Sequence, residues 1–250
     1  GSPLVLGIGQ GEHFVASDVQ ALINETDQFC YLEEGDIVEI TPESYVIFDA
    51  DGKKVERKVQ TVKMSADALS KDGYAHYMLK EIHEQPTAVA NTIADRLLDG
   101  KVSDEFITPD MADMLKKVEN IHIIACGTSF HAGMVARYWL ESLTGISTQV
   151  EIASEYRYRN PVVPKNSLFL TISQSGETAD SLAALRFAKV SGYLSTFAVC
   201  NVSNSTLDRE SDVCLLTHAG PEIGVASTKA LTTQLAVLAL LTLKVMEIHD

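Results

Sequence analysis

Ile121-His122-Ile123-Ile124-Ala125 runs almost without a polar break into Cys126-Gly127-Thr128-Ser129. A short apolar run of this kind reads as a strand buried on both faces, and a buried strand belongs to a parallel sheet covered by helices. The same signature recurs downstream. Gln149–Ile152, Leu168–Ile172, Thr196–Cys200 and Val213–Thr217 read as further strands. Helical patterns fill 129–143, 178–190 and 228–248. Strands alternating with helices predict an α/β fold, a five-stranded parallel sheet with right-handed crossovers. Ligands of such sheets bind beyond the carboxyl ends of the strands. Attention therefore falls on three loops, those leaving the first, third and fifth strands.

The loop after the third strand, Ser173-Gln174-Ser175-Gly176-Glu177-Thr178, is the most informative. Three hydroxyls and an amide stand between a buried strand and a helix N-terminus. Free backbone N–H groups and the helix dipole favour an anion there, and Ser and Thr hydroxyls can donate to phosphate oxygens. Glu177 and Asp180 tell against a large anion, and the same residue types are the usual helix caps. One such turn alone leaves both readings open; three hydroxyl-bearing loops at one sheet edge favour a ligand. The GK[ST] ending of an ATP-binding phosphate loop is missing. Gly7-Ile8-Gly9-Gln10-Gly11 lies among strand-like segments and reads as a bend between strands. Cys126 could act as a nucleophile only beside a base. His131, five residues on along a helix, points elsewhere, so Cys126 reads as a small residue lining the pocket. His76, His83, His122 and His218 show no metal-ligand spacing.

Working outward, residues 1–64 read as short strands separated by turns, with a hairpin at Asp51-Gly52. Ser65 to Gly73 is polar and reads as a linker, with the organised α/β part from about residue 76. Tyr77, Met78, Ile82 and Val89 recur at helical spacing, and Pro86 should kink or restart that helix. No internal repeat is visible.

Across the 250 residues, 46% are apolar, enough to bury a core. A net charge of −14 argues against nucleic acid or an anionic membrane as partner, though not against a small anion held by backbone amides. Four cysteines without CxxC spacing suggest no zinc site and a reduced, cytoplasmic protein. The most apolar stretch, Leu235–Val245, is shorter than the roughly 20 residues a membrane span needs. No cofactor is called for.

The segments Ala125 to Ser129, Ser173 to Thr178 and Glu222 to Ala230 together resemble the sugar isomerase (SIS) domain. More narrowly they resemble the glutamine–fructose-6-phosphate aminotransferase family. Lys80-Glu81-Ile82-His83-Glu84-Gln85-Pro86 is similar to the helix that leads into that family's isomerase part. Gly1 to Asp18 and Leu32 to Asp36 are similar to the end of its glutaminase domain. The resemblance implies a flavodoxin-like SIS sheet at 76–250, a first subdomain with its second absent, and residues 1–64 as the end of the glutaminase domain. It implies conversion of fructose 6-phosphate and glutamine to glucosamine 6-phosphate, with glutamine handled by a part not present here. Ser129, Ser173, Gln174, Ser175 and Thr178 would hold the phosphate. Thr128, Val225 and Ser227 would line the sugar, with Cys126 and Gly127 near its reactive end. No position matches the family's acid/base residues, so none here is expected to be catalytic and the chain alone is expected to be inactive. A homodimer is expected, both by resemblance and because the apolar helix 228–248, without its second-half partner, should present an exposed face that seeks another surface. The rival readings are a sugar-phosphate sensor using the same hydroxyl loop, and an α/β domain whose helices are merely well capped.

Overall fold

The computed structural model describes residues 4–62 and 70–249, so residues 65–69 of the expected linker lie outside the described residues. Two compact units are present, one within Gly1–Ser70 and one within Lys71–Asp250.

The first unit holds β1 (Val5–Ile8), β2 (His13–Ala16), β3 (Gln28–Tyr31), β4 (Ile37–Ile40), β5 (Tyr45–Phe48), β6 (Lys54–Val55) and β7 (Val59–Thr61). They form two antiparallel sheets, ordered β2-β1-β3-β7 and β4-β5-β6. The expected hairpin forms between β5 and β6, with Gly52 at φ 76°, a conformation that side-chain-bearing residues resist. The glycine-rich turn 7–11 joins β1 to β2, where the Gly9 amide donates to the Glu12 carbonyl at 3.0 Å. Successive strand residues face opposite ways, so Val5 packs with Val19 and Phe29 while Leu6 packs with Cys30 and Ile47.

The second unit contains α1 (Tyr77–Ile93), β8 (Leu97–Leu98), β9 (Lys101–Val102), α2 (Pro109–Leu115), β10 (Asn120–Ala125), α3 (Gly127–Thr144) and β11 (Ser147–Ile152). It continues with α4 (Ala153–Tyr158), β12 (Ser167–Ser173), α5 (Ala179–Ala188), β13 (Ser195–Cys200), α6 (Thr206–Glu210), β14 (Val213–Leu216) and α7 (Lys229–His249). The five strands from β10 to β14 pair in parallel in the order β11-β10-β12-β13-β14. Central β12 is buried at every position, as its apolar run requires. Ile121, Ile123 and Ala125 face a core completed by Ala132 and Ala136 of α3 and Val237 and Leu241 of α7. Ile124, Phe169 and Ala198 face the other, completed by Tyr156 of α4 and Leu182 and Leu185 of α5. Helices thus cover both faces, and all strand exits open on one edge.

Two expectations are corrected by the packing. Pro86 does not restart α1, which runs unbroken from Tyr77 to Ile93. Proline cannot donate to the carbonyl four residues back, and the Gln85 side chain donates to that Ile82 carbonyl instead, at 3.0 Å. Helix α7 is more covered than its apolar pattern suggests, because α3 and α1 both pack against it. By length and composition this 21-residue helix could cross a membrane, more than the apolar stretch 235–245 suggested. Its threonines and Gln234 broke the sequence pattern, yet half of its most apolar window is buried inside this unit.

Candidate functional site

The exits of β10, β12, β13 and β14 bring most of the sequence candidates to one sheet edge. Cys126 precedes α3, with Gly127 at φ 55°, Thr128 exposed and Ser129 buried in the first turn. The Cys126 side chain does not cap α3, and no carboxylate or hydroxyl accepts its first amides among the described residues. Cys126 is half-buried, and no hydrogen bond joins it to the exposed His131 among the described residues.

The β12 exit folds onto itself. Ser173 Oγ accepts the Gly176 amide at 3.0 Å, and Ser175 Oγ accepts the Glu177 amide at 3.2 Å. Ser173 Oγ lies 3.3 Å from Thr178 Oγ1. Thr178 is the N-cap residue of α5, but its side chain makes no capping bond. The turn's hydroxyls thus satisfy amides within the turn rather than those at the start of α5. A hydroxyl that accepts an amide keeps its own hydrogen, so Ser175 can still donate. The Gln174 side chain has no hydrogen bond among the described residues, while its carbonyl accepts the Asn201 amide at 3.2 Å. Gly176 sits at φ 68°, and an added Cβ there would stand 2.1 Å from Ser205 Oγ.

The two carboxylates that told against an anion are both engaged elsewhere. Glu177 Oε1 accepts the Thr206 amide at 2.7 Å, at the start of α6. Asp180 pairs with Arg157 of α4 at 2.9 Å.

The β14 exit is organised in the opposite way. Glu222 accepts the amides of Thr228 and Ala230 at 2.8 and 3.1 Å, together with the Ser227 and Thr228 hydroxyls. The start of α7 is thus already filled by a carboxylate of the chain itself. Glu81 of α1 accepts the Ile223 and Gly224 amides at 2.6 and 2.9 Å, and Glu84 pairs with buried Lys229 at 2.6 Å. Ser227 is half-buried at this edge, whereas the Val225 side chain is fully exposed.

Sequence reading passed over four contributors. Asn201 ties three exits together, accepting from Thr217 Oγ1 and the Ala219 amide while donating to the Gly220 carbonyl. Its signal was the polar run Asn201-Val202-Ser203-Asn204-Ser205 after the fourth strand, a loop outside the three that were inspected. Glu81, Glu222 and Gln234 act through contacts that no local pattern announces. His122, read as ordinary, is buried between Tyr193 and Glu151, each at 2.8 Å. Burial holds its pKa below the usual histidine value despite the nearby carboxylate. Glu151 is held below the usual carboxylate range by its bond to Arg159. Cys200 and Cys214 are pushed up by burial, which leaves them unreactive thiols.

A cavity of about 610 Å³ opens at the opposite sheet edge, lined by Lys116, Lys117, Gly145, Asn166 and His249 among others, and it includes none of these candidates.

A parallel sheet covered by helices on both faces, with its strand exits and hydroxyl-bearing loops on one edge, is a doubly wound α/β domain, the kind in which ligands bind beyond the carboxyl ends of the strands. Residues 114–244 match the family model of the SIS domain, and the chain belongs to that family. Along its whole length it is 58% identical to the glutamine–fructose-6-phosphate aminotransferase (isomerizing) of Pseudomonas aeruginosa, covering 41% of that protein. It is 56% identical to the enzyme of the same name from Escherichia coli over 244 residues, 98% of this chain and 40% of the other. Among solved structures, the C-terminal domain of glucosamine-fructose-6-phosphate aminotransferase from Francisella tularensis superposes with a TM-score of 0.70 at 54% identity. That match covers 72% of this chain and 50% of the other. The chain spans about two-fifths of the length of the curated relatives it matches.

Proposed function

We propose that the carboxyl edge of the five-stranded sheet binds a sugar phosphate. In this reading the chain supplies the sugar-phosphate-binding part of an enzyme that makes glucosamine 6-phosphate from fructose 6-phosphate and glutamine. Ser129, Ser173, Gln174, Ser175 and Thr178 hold the phosphate. Thr128 and Ser227 line the sugar, with Val225 reaching it only if its loop closes over ligand. Cys126 and Gly127 lie near the reactive end. No residue here is assigned to catalysis, and no cofactor is needed to hold a phosphomonoester. Residues 1–64 correspond to the end of a glutaminase domain and 76–250 to a first SIS subdomain. The reading includes a homodimer in the cytoplasm, and the net charge of −14 accords with neither nucleic acid nor an anionic membrane as partner.

The observation that carries this reading is the state of the α5 start. The Thr178 side chain makes no capping bond to its first amides, and both neighbouring carboxylates are tied to other groups. Hydrogen bonds to a charged group contribute roughly 1.5–3 kcal/mol each, so a few suffice for measurable binding. Calorimetric titration with fructose 6-phosphate and with fructose tests it. The phosphate ester should bind at least about tenfold more tightly, a difference of ~1.4 kcal/mol. Equal affinity for the two would refute a phosphate site.

A further inference from the structure

Gln234 lies in the second turn of α7 and is only 2% exposed. Its Nε2 donates to Ser129 Oγ of α3 at 3.0 Å, a contact across 105 residues of sequence. Serine in a helix commonly turns its hydroxyl onto the carbonyl one turn earlier. Ser129 makes no such bond among the described residues and meets the Gln234 amide instead. A serine hydroxyl has one hydrogen and two lone pairs. Receiving an N–H occupies a lone pair and leaves the hydrogen free.

We propose that Gln234 is a positioning residue, which presets Ser129 as a hydrogen-bond donor to the phosphate of a sugar phosphate without touching the ligand itself. This role deepens the sugar-phosphate reading above and rests on it. The surroundings support it. Leu231, Leu235, Val237 and Leu238 flank Gln234 and pack in the main core, so packing alone would favour an apolar residue at 234. An amide is kept there although its Oε1 is buried without a partner among the described residues, an arrangement that packing does not reward. With the amide turned the other way, Ser129 would donate to Oε1 and its hydrogen would be spent. The direction of that one bond decides whether Ser129 can serve an anion, which only accepts.

Glutamate at 234 is the sharpest probe, because it has the same shape but only accepts while ionised. Fructose 6-phosphate and fructose are titrated calorimetrically into the parent 250-residue chain, Gln234→Met, Gln234→Glu, Ser129→Ala and the Ser129→Ala/Gln234→Met double variant, with a melting curve for each. Near pH 8, Gln234→Met should bind fructose 6-phosphate ~3–10-fold more weakly and Gln234→Glu ~30-fold or more. Relative to the parent at each pH, Gln234→Glu should recover as the pH is lowered toward about 5, where a carboxyl begins to take up a proton and can donate again. In the Ser129→Ala background Gln234→Met should add almost nothing, because its effect passes through Ser129. Parent-like affinity in both single variants would overturn the role. So would an equal loss with Ser129 absent, which would mark Gln234 as merely structural. Should Gln234→Glu fail to fold, the methionine variant and the double variant decide alone. A parent that does not prefer fructose 6-phosphate over fructose would remove the sugar-phosphate reading itself, and this role with it.

Discussion

The exits of β12 and β14 begin alike and end opposite. Each follows a strand of the same sheet, is rich in hydroxyls and leads into a helix. At 173–178 the hydroxyls accept the turn's own amides, Glu177 caps α6, Asp180 is held by Arg157, and no side chain caps α5. At 217–228 Glu222 occupies the first amides of α7 and takes the neighbouring hydroxyls as donors. Both loops carry hydroxyls and one glutamate, but that glutamate is turned in opposite directions. A serine-rich turn becomes an anion site only when nearby carboxylates have other work, and it becomes a structural joint when one of them turns inward.

The largest expected effect comes from the glycines at the two turns. Gly176→Ala combines a left-handed backbone with a Cβ 2.1 Å from Ser205 Oγ and 2.8 Å from Cys200 Sγ, both buried. It should cost about 3 kcal/mol or more in denaturant unfolding and abolish fructose 6-phosphate binding. Gly224→Ala meets the Glu81 carboxylate at 2.5 Å and the Met78 Cα at 3.4 Å, from an ordinary backbone conformation. It should cost about 1–2 kcal/mol and leave ligand affinity closer to that of the parent. Equal losses of affinity would break the distinction between the loops.

Next comes the cap itself. Glu222→Gln removes a charge from the start of α7 and should lower stability by about 1 kcal/mol, with a smaller effect on sugar-phosphate affinity than any change at Ser175.

Acid tests the arm that carries Arg157. Helix α4 is fastened through Tyr156, whose hydroxyl lies 3.0 Å from that of Tyr193, and onward to His122 and Glu151. The His122 pKa is lowered by burial, so the native state takes up its proton less readily than the unfolded chain. Stability is therefore full above the ordinary histidine value of about 6.5 and falls as the pH drops below it. Glu151, lowered by Arg159, adds a second loss below the ordinary carboxylate value of about 4.3. Melting curves across this range should show both, and His122→Gln should flatten the upper part only.

The smallest effect is expected at Arg157. Its pair with Asp180 is well exposed on both sides, and such pairs contribute about 0–1 kcal/mol. Arg157→Ala should weaken fructose 6-phosphate binding only about two- to threefold by releasing Asp180 beside the anion. Adding Asp180→Asn should restore it.

The sheet was legible because its strands are continuous apolar runs. Predicted Ile121–Ala125 and Leu168–Ile172 fall within β10 and β12, which extend one residue further at one or both ends. The hydroxyls at 173–178 were legible for the same reason, being the polar residues directly beyond such a run. What stayed hidden depends on contacts far apart in sequence. Glu81 reaches Ile223 across 142 residues, and nothing near either position reports it. The difference between a capped α7 and an uncapped α5 turns on where Glu222 and Glu177 point, and both are glutamates in a loop between a strand and a helix. Short α4, of six residues, carries too few turns to show a helical period, so its Arg157 gave no sequence signal.

Ser175→Ala is the most direct test that the β12 exit holds a phosphate. Among the described residues its hydroxyl accepts the Glu177 amide alone, and its free hydrogen is the donor assigned to the ligand. Calorimetric titration of parent and variant with fructose 6-phosphate, beside a melting curve of each, should show affinity reduced about tenfold or more, with a change in stability of no more than about 1 kcal/mol. Equal affinity in parent and variant would contradict the assignment, whatever happened to the melting temperature.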